Sequence, residues 1–302
     1  MIRGPPRSTL DRSSAASDVY KRQVYRRALE VTSHNIVNSA NPNYSRQRIM
    51  LETETSNLTA GIVWGNGVKI DSVQRMRDKL VDAHILNTNQ KFYDSNRQSE
   101  LVSQIEDVFS EPSDLGISNL MTNYFNSFNE LAVTPNSLPL RTNVLNAANN
   151  LSAKVTSINQ SLASLKGDIK QEFHQKVNEV NSLLKQIHQI NYEQFSNAYN
   201  GVPVNDLLDQ RDGLVDQLSQ LVNINVVYDN TNSAVISIGG ALAVDRMHSA
   251  DFVAEEVNGK LNLKVKDGSY PIVLTGGELS ALSNVYSKKI PAYQEKLDTV
   301  IN

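Results

Sequence analysis

The fold is decided by residues 151–190, which read LSAKVTSINQSLASLKGDIKQEFHQKVNEVNSLLKQIHQI. Apolar side chains recur here at steps of four and three, with consecutive steps of four around Phe173 and Val177. They are Leu151, Val155, Ile158, Leu162, Leu165, Ile169, Phe173, Val177, Val180, Leu184 and Ile187. This spacing is typical of one helical stripe and of a coiled coil, which the consecutive fours locally unwind. The stretch predicts a helix of roughly 60 Å.

Two interpretations of this apolar seam are open. The seam either belongs to a long core helix in an ordinary bundle, or it is an uncovered packing surface for neighbouring subunits of a filament. An acidic turn-and-helix segment, NDLLDQRD at residues 205–212, follows the long helix. The two segments together indicate an architectural role more than a catalytic one.

Composition limits the class of protein. Of the 302 residues, 40% are hydrophobic and 20% are charged, which suffices for one large or two modest cores. A net charge of −3 disfavours a nucleic-acid partner, because such proteins usually carry clustered lysines and arginines. The chain has no cysteine, which excludes disulfides and thiolate metal sites. No apolar run approaches the roughly 18 residues of a membrane span, so we expect no membrane partner.

Residues 1–23 form a basic leader rich in serine and arginine. Its composition predicts a stretch that is disordered or foreign to the fold. From Tyr25 onward the apolar pattern predicts a short helix that ends before Pro42, because proline restricts the preceding residue. Residues 24–45 are therefore interpreted as a terminal helix and a joint. In that joint we expect a positive φ at Asn43 and a Tyr44 ring that is buried with its hydroxyl outside.

The rest of the chain predicts an α+β fold, a mainly helical elongated bundle with coiled-coil-like helices, an N-terminal β-hairpin and a small inserted β region. Strands are expected at 46–54 and 61–73, followed by helices from Gln74 to about Tyr199. The predicted domains are a bundle with its hairpin at 46–221, a β region at 222–275, and the start of a further, truncated helix at 276–302. Within the bundle, Leu120, Met121, Tyr124, Phe125, Phe128 and Leu131 form an apolar stripe.

Three motifs carry a resemblance to a known family. Residues 35–47 read NIVNSANPNYSRQ, residues 62–68 read IVWGNGV, and residues 205–212 read NDLLDQRD. These segments resemble bacterial flagellar rod, hook and hook-associated proteins, and the last one is similar to the branch at the hook–filament junction. The chain departs from that family at its basic leader and at Asn41-Pro42-Asn43, where a Thr-Pro-Gly sequence is usual.

The resemblance implies a structural subunit of the bacterial flagellum, not an enzyme, that joins hook to filament by helix packing. Implied partners are copies of itself in a ring, the flagellar hook protein, other hook-associated proteins, and an export chaperone that binds a C-terminal region missing here. The implied location is extracellular, after export without a cleaved signal. No cofactor, metal or nucleic acid is expected.

Two sets of residues are predicted to have architectural roles. The first set fixes the joint between terminal helix and first strand: Asn35, Asn38, Pro42, Tyr44, Arg46 and Gln47. The second set fixes the turn where the long helix gives way to the β region: Leu207, Leu208, Asp209, Arg211 and Asp212.

Other functions remain open from the residues alone. Asp206, Asp209 and Asp212 recur every third residue, so the acidic helix start could serve a cell-surface hydrolase or bind a divalent cation. The opposing interpretation is that Asp206 favours the helix N-terminus while Arg211 neutralises its neighbours. A rod or hook paralogue is a further alternative.

Overall fold

The computed structural model describes residues 8–53, 57–59, 62–64, 68–109, 116–200 and 202–301. Contacts divide the chain into two compact units. The hairpin unit comprises Met1–Asp82 and Ser196–Gly213, and the helical unit comprises Ala83–Phe195 and Leu214–Asn302. Neither unit is continuous in sequence, so this division differs from the domain ranges predicted above, which stay a prediction.

Seven α-helices and one π-helical segment are found in the described part of the chain. The helices are α1 (Ser8–Val37), α2 (Lys79–Phe109), α3 (Ile117–Val133), α4 (Leu138–Tyr199), α5 (Asn205–Leu221), α6 (Glu278–Asn284) and α7 (Ile290–Ile301). The π-helical segment is Val285–Lys289. It precedes Pro291, which has no N–H to bond a carbonyl one turn earlier, and the Ile290 N–H bonds the carbonyl of Val285 instead.

Strands occupy two regions of the chain, as the sequence predicts. They are β1 (Gln47–Thr53), β2 (Asn57–Thr59), β3 (Ile62–Trp64), β4 (Val68–Arg75), β5 (Ile224–Tyr228), β6 (Ala234–Ile238), β7 (Ala241–Val244), β8 (Phe252–Val257), β9 (Lys260–Val265) and β10 (Pro271–Ile272). Strands β1 and β4 pair antiparallel, with Gln47 opposite Arg75, and together are called the hairpin below. The later strands form two antiparallel sheets in the orders β5-β6-β7 and β10-β9-β8.

The hairpin unit packs α1 against both strands of the hairpin. Helix α1 begins at Ser8, inside the stretch predicted to be a disordered or foreign leader. No proline or glycine lies between residues 7 and 41, so nothing in the sequence interrupts the helix. Residues 1–7 of the predicted leader lie outside the described residues.

Two further details of this unit differ from the predictions. Helix α2 begins at Lys79 and not at Gln74, because Gln74 continues β4 and the Asp78 carboxylate accepts the Leu80 N–H at 2.9 Å as an N-cap. The positive φ expected at Asn43 is absent there and occurs at Asn232 and Asn258. The Gly-containing turn at residues 65–67 lies outside the described residues.

The helical unit buries the seam of α4. Ile158, Leu162, Ile169, Phe173, Val177, Val180, Leu184 and Ile187 are all buried, in one cluster with Leu101 and Ile105 of α2 and the inner faces of the β region. The interpretation of an uncovered seam is therefore wrong for this part of α4, and the long core helix is confirmed. The sequence shows the stripe, but it does not show that α2 and the strands cover it.

Strand ends in the helical unit are held by side chains from helices. Asn191 of α4 donates from Nδ2 to the Ala234 carbonyl at 2.9 Å and accepts the Ala234 N–H at 3.0 Å. Asn181, on the same helix, makes the same pair of bonds with Phe252, both at 2.8 Å. Each amide thus satisfies both backbone groups of the first residue of a strand, as a neighbouring strand would.

Among the described residues, no helix is long and apolar enough to cross a membrane.

Candidate functional site

The predicted joint begins where α1 ends. The Asn38 side chain donates to the His34 carbonyl at 3.0 Å, and the backbone then turns through a bond from the Tyr44 N–H to the Asn41 carbonyl. Pro42 is exposed within this turn. Asn38 therefore closes the end of the helix, as a polar residue at such a position can.

Asn35 is the centre of the contacts between α1 and the hairpin. Its Oδ1 accepts the Gln47 N–H at 2.8 Å, and its Nδ2 donates to the Gln47 carbonyl at 2.9 Å. The Tyr44 hydroxyl also donates to Oδ1, at 2.8 Å. The same reciprocal amide pair seen on α4 thus fixes the first residue of β1.

Tyr44 corrects one sequence prediction. Its hydroxyl is not directed to solvent alone, since it lies 3.0 Å from Nδ1 of His34 as well as bonding Asn35. Because the hydroxyl proton is used on Asn35, His34 is the donor to the Tyr44 oxygen. Burial raises the pKa of Tyr44, and the nearby carboxylates of Asp209 and Asp206 raise it further.

The acidic segment of α5 meets the same turn. Asp209 accepts the Ser45 N–H through Oδ2 at 3.2 Å, and Asp206 accepts a bond from the Gln47 side chain at 3.4 Å. Asn205 donates to the Val73 carbonyl of β4 at 2.9 Å. The two motifs that the sequence offered as separate joints therefore form a single one.

A network of buried charges lies at the centre of this joint. Asp212 contacts the guanidinium groups of Arg75, Arg77 and Arg211, with Arg77 at 3.2 Å and Arg211 at 2.8 Å. The Nε of Arg75 lies 3.3 Å from Asp209. Charges taken out of water are stable only when they are paired and hydrogen-bonded, and these carboxylates and guanidiniums supply one another.

The pairing leaves two buried atoms without a hydrogen bond. Nη1 of Arg75 and Oδ1 of Asp209 have no hydrogen-bond partner, although Oδ1 lies within ion-pair distance of Arg75. Arg75 is 10% exposed and Asp212 is 7% exposed. The network is thus held mainly by charge and by its position, not by complete hydrogen bonding.

The structure brings together most, but not all, of the predicted site residues. Asn35, Tyr44, Gln47, Asp209, Arg211 and Asp212 meet in the joint, and Asn38 ends α1 beside it. Leu208 is buried and Leu207 is half-buried. The side chains of Arg46 and Pro42 are exposed, so neither one contributes to the buried network.

Arg75 is the central residue that sequence reasoning missed. A signal was present, because strand alternation places Arg75 on the same face as Val73, and a charge on an inward face needs a carboxylate. Arg77, Ser45 and Asn205 were missed for a different reason. Their contacts within the joint are with residues more than a hundred positions away, which the local sequence does not indicate.

The metal alternative has no geometric support. Within the described ranges, no group of three or more His, Cys, Asp or Glu side chains is placed to hold a metal ion. Asp209 and Asp212 turn toward arginines, whereas Asp206 is exposed and turns toward Gln47. The charged groups of the joint hold one another and the backbone, within a fold of long helices, as expected of a structural protein.

Comparisons with known proteins identify the kind. Residues 102–302 match the family described as the flagellar hook-associated protein FlgK helical domain, which covers about two thirds of the chain. The chain belongs to this family of flagellar hook-associated proteins. The resemblance drawn from its motifs, and the α+β fold with long helices, are thereby confirmed.

Curated relatives agree with the family match. Flagellar hook-associated protein 1 of Bacillus subtilis is 31% identical over 229 residues, which are 72% of this chain and 45% of the relative. The Salmonella typhimurium protein of that name is 27% identical over 201 residues, which are 66% of this chain and 36% of the relative. The chain thus spans less than half the length of these relatives.

A solved structure shows the same fold. The flagellar hook junction protein FlgK from Burkholderia pseudomallei aligns with a TM-score of 0.58 and 25% identity. The alignment covers 73% of this chain and 41% of that one.

Proposed function

We propose that this chain is part of a structural subunit of the bacterial flagellum that joins the hook to the filament. The observation that carries the proposal is the family match over residues 102–302, together with a solved hook junction protein of the same fold. The subunit acts by packing against neighbouring axial subunits and performs no chemistry. It works outside the cell, after export by the flagellar secretion apparatus with the help of a chaperone.

We further propose that its partners are copies of itself in a ring, the flagellar hook protein and other hook-associated proteins. The joint described above, with its network of charges, is called the ionic joint below, and it supports this role mechanically. Its residues hold α1, the hairpin and the start of α5 together, so that a load on one of them is shared by all three. Asn35, Tyr44, Gln47, Asp209, Arg211 and Asp212 are the residues to which we assign this positioning role.

Binding to isolated hooks tests the proposal. Flagellar hooks stripped of their filaments are mixed with the purified chain and sedimented, and the chain is expected to co-sediment. Tyr44→Ala and Asp209→Ala are expected to reduce the bound fraction severalfold, because each disturbs the joint. Tyr270→Ala and Asp298→Ala, at exposed positions of the helical unit, are the matched controls and should bind as the parent chain does.

Two outcomes contradict the proposal. One is a folded chain that does not sediment with hooks at any concentration tested. The other is a small-molecule turnover that Asp209→Ala abolishes while the circular dichroism spectrum stays unchanged, which would make the acidic helix start a catalytic site.

A further inference from the structure

The two faces of the hairpin differ in charge. Strand alternation and the register of β1 and β4 define an outer face, formed by Arg46, Arg48 and Met50 with Ser72, Gln74 and Met76. Residues of the opposite parity, including Gln47, Ile49, Val73 and Arg75, form the inner face that packs with α1 and the ionic joint. The outer face also includes Glu52 and Lys69, which pair with each other at 3.2 Å, so Arg46 and Arg48 are the charges on this face that have no opposite partner among the described residues.

Arg46 and Arg48 are exposed. No carboxylate in the described part of the chain lies within ion-pair distance of either guanidinium. Arg46 belongs to the motif that carries the family resemblance, yet its side chain makes no contact in the joint. Two methionines, Met50 and Met76, flank these arginines and are 38% and 48% exposed.

A groove lies on the inner side of the same hairpin. It has a volume of about 640 Å³ and is bounded by α1, β4 and residues 198–206. Its lining includes the apolar side chains of Val31, Val73, Val202, Pro203 and Val204.

The rim of this groove is acidic. Asp71 and Asp206 both line it and are exposed, and neither has a cationic partner among the described residues. Glu30 also lines the groove, but Arg26 and Arg27 neutralise it at 3.3 and 3.0 Å. The groove thus combines an apolar floor with two carboxylates that lack a positive partner.

We propose that copies of this chain associate head to tail, with the Arg46–Arg48 face of one hairpin seated in the acidic groove of the next copy. The two surfaces complement each other in charge, and the flexible methionine side chains suit an irregular apolar floor. This inference rests on the proposed function, because it names the surface through which one subunit contacts another copy of itself.

A second copy is the occupant that the geometry favours. Arg46 and Arg48 do not line the acidic groove, so each copy offers both halves of the contact. Such a heterologous contact leaves a free basic face at one end and a free groove at the other, and it repeats until a ring closes or a fibre grows. Because the charges are exposed, the contact weakens as salt rises.

Arg48 and Asp71 are the residues to exchange, since neither one belongs to the ionic joint. Arg48→Glu places a negative charge against the acidic groove, and Asp71→Arg places a positive charge against the basic face. Each variant alone is expected to lower the self-association constant of the purified chain at least tenfold, measured by sedimentation velocity at low salt. Lys91→Glu and Asp298→Arg, exposed charges of the helical unit, are the matched controls and should associate as the parent chain does.

Mixing the two variants is the decisive step. The hairpin face altered by Arg48→Glu then meets the groove altered by Asp71→Arg, and the unaltered face of the second variant meets the unaltered groove of the first. Every contact is again between opposite charges. We expect the equimolar mixture, and the double variant Arg48→Glu/Asp71→Arg, to recover association to within about threefold of the parent chain, since like charges no longer face each other. Particles larger than dimers indicate the repeating contact.

Three results overturn the inference: a parent chain that stays monomeric at low salt, single variants that associate normally, or a mixture that does not recover. If the chain still sediments with hooks in any of these cases, the proposed function stands and only the self-association surface is wrong. If hook binding is lost in Arg48→Glu while self-association is unchanged, the basic face docks on a different axial protein.

Discussion

At the scale of single residues, Asp212 has the largest role in the joint. It contacts three guanidinium groups, those of the buried Arg75 and Arg211 and of the more exposed Arg77, and Asp209 and Asp82 share the pairing. Truncating one partner of a buried ionic cluster is costly because the remaining charges lose their counter-ion without regaining hydration.

Asp212→Ala is therefore expected to destabilise the hairpin unit by about 3–5 kcal/mol. Hydrogen exchange of the β1 and β4 amides should accelerate, while exchange in the core of α4 should change little. Asp298→Asn, at an exposed carboxylate of the helical unit, is the control and should leave exchange of the hairpin amides unaltered. Equal exchange rates in Asp212→Ala and the parent chain would show that the ionic cluster does not hold the hairpin.

The joint could be predicted from sequence only in part. The motifs around Asn35 and Asp209 mark positions with unusual polar requirements, and both sets of residues lie in the joint. The contact between these two sets of residues could not be predicted. Arg75 and Asp212 are 137 residues apart, and nothing in the sequence specifies which carboxylate pairs with which arginine. Pairing across such a distance depends on the fold as a whole.

At the scale of elements, amide side chains on helices form hydrogen bonds with the first residue of several strands. Asn35 does so for β1, Asn191 for β6 and Asn181 for β8, each with one bond donated and one accepted. Serines serve a similar purpose on β9, where Ser283 donates to the Leu261 carbonyl and Ser287 accepts the Leu261 N–H. These contacts satisfy backbone groups near the starts of the strands, including β6 and β9, which are the central strands of their sheets.

The substitution Asn191→Asp tests the amide contact with Ala234, through the pH dependence of the variant's stability. Near neutral pH the carboxylate cannot donate to the Ala234 carbonyl, so the variant is expected to lose about 1–3 kcal/mol of stability. Burial raises the pKa of such a carboxyl in the folded state. The protonated acid can again donate one bond and accept one, so the deficit should be small below about pH 4 and should grow as pH rises.

Urea unfolding of the variant and the parent chain at pH 4 and pH 7 measures this difference. The exposed Asn230→Asp serves as the control and should show no deficit at either pH. A deficit that is the same at both pH values would mean that the donated bond to Ala234 is unimportant.

Tyr286 joins the π-helical segment to β8 and α4. Burial raises the pKa of Tyr286 to about 12, with contributions from its hydrogen bond to Glu256 and from the charge of Glu256. Lys166 lies over the ring at 4.5 Å, and Lys170 pairs with Glu256 at 2.7 Å. The neutral phenol is therefore the form that the folded state prefers.

This preference predicts a loss of stability in alkali. Because the folded pKa lies above the unfolded value of about 10, the contribution of Tyr286 is complete below pH 10 and is lost as pH approaches 12. Tyr286→Phe should flatten the decline of the melting temperature between pH 9 and pH 11.5, relative to the parent chain. Tyr270→Phe, at an exposed tyrosine, should leave that decline unchanged, and an identical decline in all three proteins would assign it to other groups.

The elements themselves were largely predictable, because alternation and helical spacing are local properties. Strands β5 to β10 lie within the range 222–275 predicted to be a β region, and α6 begins at Glu278, within the range predicted to be helical. The polar composition of residues 1–23 predicts disorder, whereas the structure has a helix from Ser8, in a run without proline or glycine. Composition gives the average tendency of a segment, and the helix of α1 depends on its continuity.

For the molecule as a whole, the main question is which apolar stripes are internal. The seam of α4 is internal, and its residues belong to the core of the helical unit. The stripe of α3 is not, because that helix has no buried residue, and Phe125 is 57% exposed. Sequence periodicity detects both stripes equally well, since it reports the face of a helix and not what lies against it.

Paired substitutions separate the two kinds of stripe. Phe173→Ala removes a ring that is 0% exposed and should lower the free energy of unfolding by about 3–5 kcal/mol. Phe125→Ala removes the same atoms from an exposed position and should change it by less than about 0.5 kcal/mol. Denaturant midpoints of the purified chain at low protein concentration measure both, so that association does not contribute. A large loss of stability in Phe125→Ala would mean that α3 is covered within the chain itself, whereas an unchanged midpoint leaves its aromatic face free for contacts outside the subunit.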